Sequence, residues 1–327
     1  MLRHIHVVPL AAESLGVRSM CTYAETSDVR ILLDAGVSLC PERSGLPPHP
    51  REFKAIAESR RRIAESAEKA EIVTISHYHF DHHTPSFTDW LCNWTEAGET
   101  AKQIYQGKTV LMKNPKEQIN YSQRHRAWMF QRTAGVYAEK LENADGKTYC
   151  YGDTLVRFSE PVFHGSEDSF LGWVLMTTID FRGEKFMFAP DVQGPMSKRT
   201  LEAILREKPF LLMIGGPPLY LAGSKIDAQQ VQAGLKSLTE IVGVVPQVIL
   251  EHHTLRDQEW REKTKGVFDE AHKVGFDLVT AAEFAGKESS FLEAKRRWLF
   301  AEERPPEDFQ KWMRENAETR RHAKPPT

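Results

Sequence analysis

The chain of 327 residues carries a net charge of -2, with 41% hydrophobic and 27% charged residues. That length can bury a sizeable core, and the composition is that of an ordinary soluble, enzyme-like domain. The balanced charge gives no electrostatic reason to expect nucleic acid or anionic lipid as a partner, no apolar run approaches the length of a membrane span, and Met1-Leu2-Arg3-His4 opens no signal peptide.

The expected compartment is therefore cytoplasmic. Cys21, Cys40, Cys92 and Cys150 are scattered without a C-x-x-C pair, which fits reduced thiols better than a disulfide framework. Strand signals cover residues 5–10, 19–26 and 30–34, the last ending in Asp34-Ala35-Gly36, a sharp exit from a buried strand. A Pro-rich loop around His49 precedes a helix over about 51–70, in which Phe53, Ile56, Ile63 and Ala67 recur at helical spacing. Residues 71–76 read as a short buried strand. From Pro85 to Leu141 the pattern is helical, aromatic and basic, with Trp90, Trp94, Trp128 and Phe130 among Arg124, His125, Arg126 and Arg132. It reads as a helical insertion near the site, built on core aromatics and able to serve as a lid. Strands resume at 155–158, 170–181 and 185–189, and later strands at 210–214, 247–251 and 277–280 alternate with helices near 197–207, 228–242 and 258–274. The whole reads as a single domain over 1–327, closing in a short helix from Pro305 and a flexible tail from about residue 320.

Chemistry concentrates in Ile75-Ser76-His77-Tyr78-His79-Phe80-Asp81-His82-His83, directly after the apolar Ile72-Val73-Thr74-Ile75. Imidazole and carboxylate suit zinc, iron(II) or manganese, and two histidines one residue apart in a loop can close on one ion. A loop leaving the carboxyl end of a strand is where open α/β sheets place their active sites. Further candidates follow apolar runs downstream: His164 after Val162-Phe163, Asp191 after Phe188-Ala189-Pro190, and His252-His253 after Ile249-Leu250-Glu251. Strand alternation through Val248, Leu250 and His252 favours His252 over His253 as the ligand. His83 reads as a supporting residue, and His4, His6 and His272 as structural or solvent-facing. Gly215-Gly216-Pro217-Pro218 lets backbone approach a ligand, so that Tyr220 either donates to a developing oxyanion or packs beneath a rigid turn.

With these residues in place, the chain resembles the metallo-β-lactamase-fold superfamily. The H-x-H-x-D-H signature is His77-x-His79-x-Asp81-His82, later ligand positions fall on His164, Asp191 and one of His252 and His253, and Asp34 matches an early aspartate that supports the site. Asp191-Val192-Gln193-Gly194-Pro195 and Glu251-His252-His253-Thr254-Leu255-Arg256-Asp257 look like a branch of predicted metal-dependent hydrolases, from which no substrate carries over. The resemblance implies an α/β fold, a four-layer αβ/βα sandwich, holding two divalent metal ions, zinc first, with iron or manganese also suited. One ion would take His77, His79 and His164, the other Asp81, His82 and His252, with Asp191 bridging. Paired cations lower the pKa of a shared water toward about 7, giving a hydroxide nucleophile for an ester-, phosphodiester- or amide-type bond. Asp81, His252 and Tyr220 are the residues expected to act in catalysis. An iron-dependent oxidoreductase on the same fold is the alternative, followed by a nucleic-acid-processing nuclease. The expected partner is a small-molecule substrate, and a homo-oligomer is left open.

Overall fold

Short apolar strands buried on both faces require cover on both sides, and this chain supplies it by stacking two sheets between two layers of helices. The computed structural model describes residues 2–167 and 169–326. Its first sheet has six strands in chain order: β1 (His6–Pro9), β2 (Thr22–Glu25), β3 (Arg30–Leu33), β4 (Ile72–Ile75), β5 (Thr109–Met112) and β6 (Lys140–Asn143). The first two pairings are antiparallel, and β3 to β6 run parallel. Next come β7 (Thr148–Tyr151) and β8 (Thr154–Phe158), then a separate two-stranded ribbon of β9 (Val162–Phe163) and β10 (Trp173–Val174). With β11 (Thr177–Phe181), β12 (Glu184–Ala189), β13 (Leu211–Gly215), β14 (Gln247–Glu251) and β15 (Asp277–Val279), a seven-stranded sheet forms in the order β15-β14-β13-β12-β11-β8-β7. Within it β12 to β15 are parallel.

Alternation along each strand sorts residues between layers. Leu32, Val73 and Val110 face outward, against Phe53, Ile56 and Ile63 of α1 (Pro50–Lys69), Ile104 of α2 (Ala97–Tyr105) and Phe130 of α3 (Tyr121–Arg132). Ile31, Leu33, Ile72 and Leu111 face inward and meet Val156, Ile179, Phe186, Phe188 and Met213 of the second sheet. On that sheet's far side, Met187, Leu212, Ile214 and Val248 lie against α4 (Lys198–Glu207) and α5 (Ala228–Val242). After α6 (Trp260–Lys263), α7 (Lys265–Val274) completes this outer layer with Val267 and Ala271. Each such side chain contributes about 1.5–3 kcal/mol on leaving water. The layering is helix, sheet, sheet, helix, the αβ/βα sandwich expected of a metallo-β-lactamase-like chain. α1 starts where the sequence specifies, with His49 as N-cap, Pro50 in the first turn and Glu52 closing a capping box. None of the helices described is long and apolar enough to cross a membrane.

Four expectations need correction. The segment 85–141 is not wholly helical: α2 and α3 lie in it, but β5 lies between them and β6 begins at its end, so it extends the first sheet beside β4. These strands are four residues each, and Lys140, Glu142 and Asn143 give β6 no apolar alternation to detect. The strand read over 170–181 is divided into β10 and β11, and the helix read over 258–274 is interrupted at Thr264. Beyond α8 (Ala281–Phe284), α9 (Arg296–Glu302) and α10 (Glu307–Met313), the flexible tail is instead docked as α11 (Ala317–His322). The backbone N–H of Trp90 donates to the Arg321 carbonyl at 2.8 Å, Trp312 Nε1–H to the Ala323 carbonyl at 3.2 Å, and the Lys324 ammonium sits 4.3 Å from the Trp90 ring centre. Its composition of Arg, Lys and Pro reads as solvated because one of the indoles it meets, that of Trp90, lies more than two hundred residues upstream.

Candidate metal centre

Parallel strands open their carboxyl ends at one edge, and the candidate ligands occupy the turns there. Asp34 follows β3, the histidine-rich loop follows β4, His164 follows β9, Asp191 lies just past β12, and His252 follows β14. Asp34, Asp191 and His252 have φ of 48°, 51° and 67°. Left-handed backbone at a non-glycine residue costs about 1–3 kcal/mol and persists where the surroundings enforce it. Gly36 is required for a different reason: a Cβ there would collide with the backbone of His82 and His83, so only glycine lets the turn after β3 nest against the ligand loop.

Asp191 is the hub. Its Oδ2 lies 3.1 Å from His77 Nε2, 3.0 Å from His164 Nε2, 3.3 Å from His82 Nε2 and 4.0 Å from His79 Nδ1. Its Oδ1 lies 3.1 Å from His252 Nε2 and 3.2 Å from His253 Nε2. Asp81 Oδ2 is 3.4 Å from His252 Nε2. Two sets emerge whose ligand atoms lie within 4.8 Å of one another, His77 with His79, His164 and Asp191, and Asp81 with His82 and His252; Asp191 also groups with His252 and His253.

The orphaned atoms show what this arrangement fits. His82 Nε2, both ring nitrogens of His164, Asp191 Oδ1 and His253 Nε2 are buried without a hydrogen bond among the described residues. Leaving so many polar atoms unpaired in one place is costly unless something else satisfies them. Nitrogen and carboxylate oxygen without thiolate is a donor set for zinc, iron or manganese. Divalent cations fit these residues.

Charge and burial oppose one another throughout. Burial alone would raise the Asp191 carboxyl, yet the surrounding imidazoles of His252, His82, His164 and His253 hold it well below its usual range. Burial would lower His82, but the Asp191 carboxylate and the hydrogen bond to Asp34 hold it well above. His77 goes the other way, pushed well down by burial and by the neighbouring His82 and His79. Asp34 is the anchor: Oδ1 accepts the Ser76 N–H at 2.8 Å, and Oδ2 lies 2.8 Å from His82 Nδ1, which fixes the ring and leaves Nε2 facing Asp191.

The structure brings His77, His79, Asp81, His82, His164, Asp191 and His252 close to one another. It does not bring Tyr220 to them. That residue lies in the 3₁₀ turn Leu219–Leu221 with its ring beneath the Arg43 guanidinium, 4.4 Å away, and takes no part in lining the cavity of about 750 Å³ that His79, Asp81, Asp191 and His253 share. The structure thus places Tyr220 against Arg43 on the turn rather than among the candidate ligands. The argument for His252 from strand alternation also fails, because β14 ends at Glu251 and residues His252–Arg256 form a 3₁₀ turn. His252 instead stands apart from His253 by reaching Asp81 and His82. Sequence reasoning missed the support behind this pair: the buried Arg256 donates from Nε to Glu13 Oε1 at 2.6 Å and places Nη1 3.0 Å from His253 Nδ1. The only signal was its position four residues after His252.

No family model matches the chain. A UPF0282 protein of Methanopyrus kandleri is 44% identical over 299 residues, covering 91% of this chain and 100% of that protein. Another, of Methanocaldococcus jannaschii, is 42% identical over 293 residues, covering 89% and 95%. Among solved structures, a metal-dependent hydrolase of the β-lactamase superfamily is 12% identical with a TM-score of 0.46, covering 85% of this chain and 96% of its own. That last likeness carries no residue role or activity to this chain. Relatives of such identity, matched across nearly their whole length, show that the chain belongs to the UPF0282 family.

Proposed function

We propose that this protein is a metal-dependent hydrolase of a small-molecule substrate, with His77, His79 and His164 holding one zinc ion, Asp81, His82 and His252 a second, and Asp191 shared between them. The observation that carries this reading is the set of buried imidazole nitrogens, on His82, His164 and His253, turned toward Asp191 without hydrogen bonds of their own. Two such cations would supply an acidified water and a Lewis acid for an ester-, phosphodiester- or amide-type bond.

The chain's own residues do the remaining work. Asp34 accepts from His82 Nδ1 and so holds Nε2 facing Asp191. Ser76 Oγ lies 3.0 Å from His77 Nδ1 and holds that ring in turn. Asp81 lines the open cavity while keeping contact with His252, which makes it the carboxylate placed to take a proton from, or return one to, a reacting group. Arg256 and Glu13 brace the His252-His253 turn from behind, keeping these imidazoles from rotating away.

Full chain purified from metal-supplemented growth is expected to carry close to two transition-metal ions, and to hydrolyse at least one activated ester in a screen. Chelation should abolish turnover and zinc should restore it. At most a trace of metal, or turnover indifferent to chelation, overturns the reading.

A further inference from the structure

The cavity above the candidate centre is ringed by more positive charge than its carboxylates need. Arg18, Arg126, Arg256 and Arg321 all line it. Two of these are already committed: Arg18 pairs with Glu293 at 2.6 Å, and Arg256 with Glu13 at 2.6 Å. On the acidic side, Asp81 and Asp191 belong to the ligand cluster. Asp89 is occupied by the N–H groups of Leu91 and Cys92 and by the Asn93 amide. Arg126 is different. It projects from α3, is half-buried, and makes neither an ion pair nor a hydrogen bond among the described residues; its guanidinium rests 5.1 Å from the centre of the Phe80 ring, inside the ligand loop.

A half-buried guanidinium that makes no ion pair is a poor arrangement for stability alone. Stacked on an aromatic ring, it keeps its planar fork free and oriented for two hydrogen bonds to an oxyanion. Its wall of the cavity is continued by Arg321, which the docked C-terminal helix brings to the same space.

Resting on the hydrolase reading above, we propose that the substrate is itself an organic oxyanion, an ester bearing a charged phosphate or carboxylate group, and that Arg126 receives that charge while the bond to be broken lies over Asp81 and Asp191. Arg126 is then a residue that sets specificity, with no part in holding metal.

The test compares three para-nitrophenyl carboxylic esters, alike in the bond broken, on the full metal-loaded chain: the phosphonoacetate, the hydrogen succinate and the neutral acetate. An anionic ester is expected to exceed the acetate in kcat/KM, and whichever of the two is better identifies phosphate or carboxylate as the group received. Arg126→Met should raise KM for that ester roughly 10- to 100-fold, the usual worth of one charge-assisted hydrogen-bonding partner, with kcat, metal content and acetate kinetics unchanged. Arg126→Lys should recover part of the loss. A readout free of turnover is calorimetric binding of inorganic phosphate to the chain as purified, which Arg126→Met should weaken similarly. Preference for the acetate, or anionic-ester KM and phosphate binding both indifferent to Arg126→Met, overturns the inference. Phosphate binding that depends on Arg126 without hydrolysis of any ester would sink the hydrolase reading and leave the anion site standing.

Discussion

His252 and His253 are adjacent, both are within about hydrogen-bonding reach of the same Asp191 oxygen, and yet their surroundings divide them. His252 is fully buried, and its Nε2 also faces Asp81 at 3.4 Å. His253 meets no second carboxylate among the described residues; burial and the Arg256 charge at 3.0 Å from its Nδ1 push it well below the usual imidazole range. His252→Ala should therefore lose one equivalent of metal outright, whereas His253→Ala should keep both with affinity reduced by about 10–100-fold, as happens when a supporting partner is removed. Metal analysis of the two variants decides it, and the reverse pattern would transfer the ligand role to His253. Alternation in the sequence pointed to His252 along a strand that in fact stops at Glu251, and the geometry on which this prediction rests comes from a left-handed turn whose φ of 67° no pattern of apolar residues announces.

Elements were readable where they carried their own signal. α5 begins and ends where apolar spacing and its Asp227 cap place it, whereas β5 owes its existence to pairing with β4 and β6 to pairing with β5, each a partner more than thirty residues away. The same holds for the joint between α1 and α9. Arg296 and Glu52 are both fully buried, the guanidinium donating to both carboxylate oxygens at 2.8 and 2.7 Å and to the carbonyls of Cys40 and Leu46 at 2.9 and 3.1 Å. Neither residue looks core-forming in the sequence, because the pairing spans 244 positions. Removing one partner strands a charge in the interior, which costs about 3–5 kcal/mol, while replacing both by neutral groups recovers much of that. Denaturant unfolding of Arg296→Met should show a loss of this size, and Glu52→Gln added to it should restore part. A loss under about 1 kcal/mol, the range of an exposed pair, would mean that water reaches the joint and that α9 is not locked to α1.

At the scale of the whole molecule, the C-terminal segment closes the sandwich by returning to the first helical layer. Phe309 is fully buried and Trp312 is 7% exposed, with ring centres 5.9 and 5.4 Å from that of Phe53 on α1. The segment thus has two physical parts: an aromatic anchor in the core, and a polar end whose Arg321 and His322 reach the cavity. Every candidate ligand lies upstream of it, on turns held by the two sheets and by Asp34, Ser76 and Arg256. Stability and metal binding should consequently separate. Trp312→Ala is expected to cost about 3–5 kcal/mol, the usual loss for a large aromatic removed from a packed site. The folded protein should nevertheless retain the metal content of the parent chain when both are measured well below the unfolding temperature. An unchanged unfolding transition would show that the anchor is not part of the core. Metal lost from a variant that still gives the native circular dichroism spectrum would show instead that the C-terminal helices belong to the frame that positions the ligands, and that the two sheets alone do not hold the centre together.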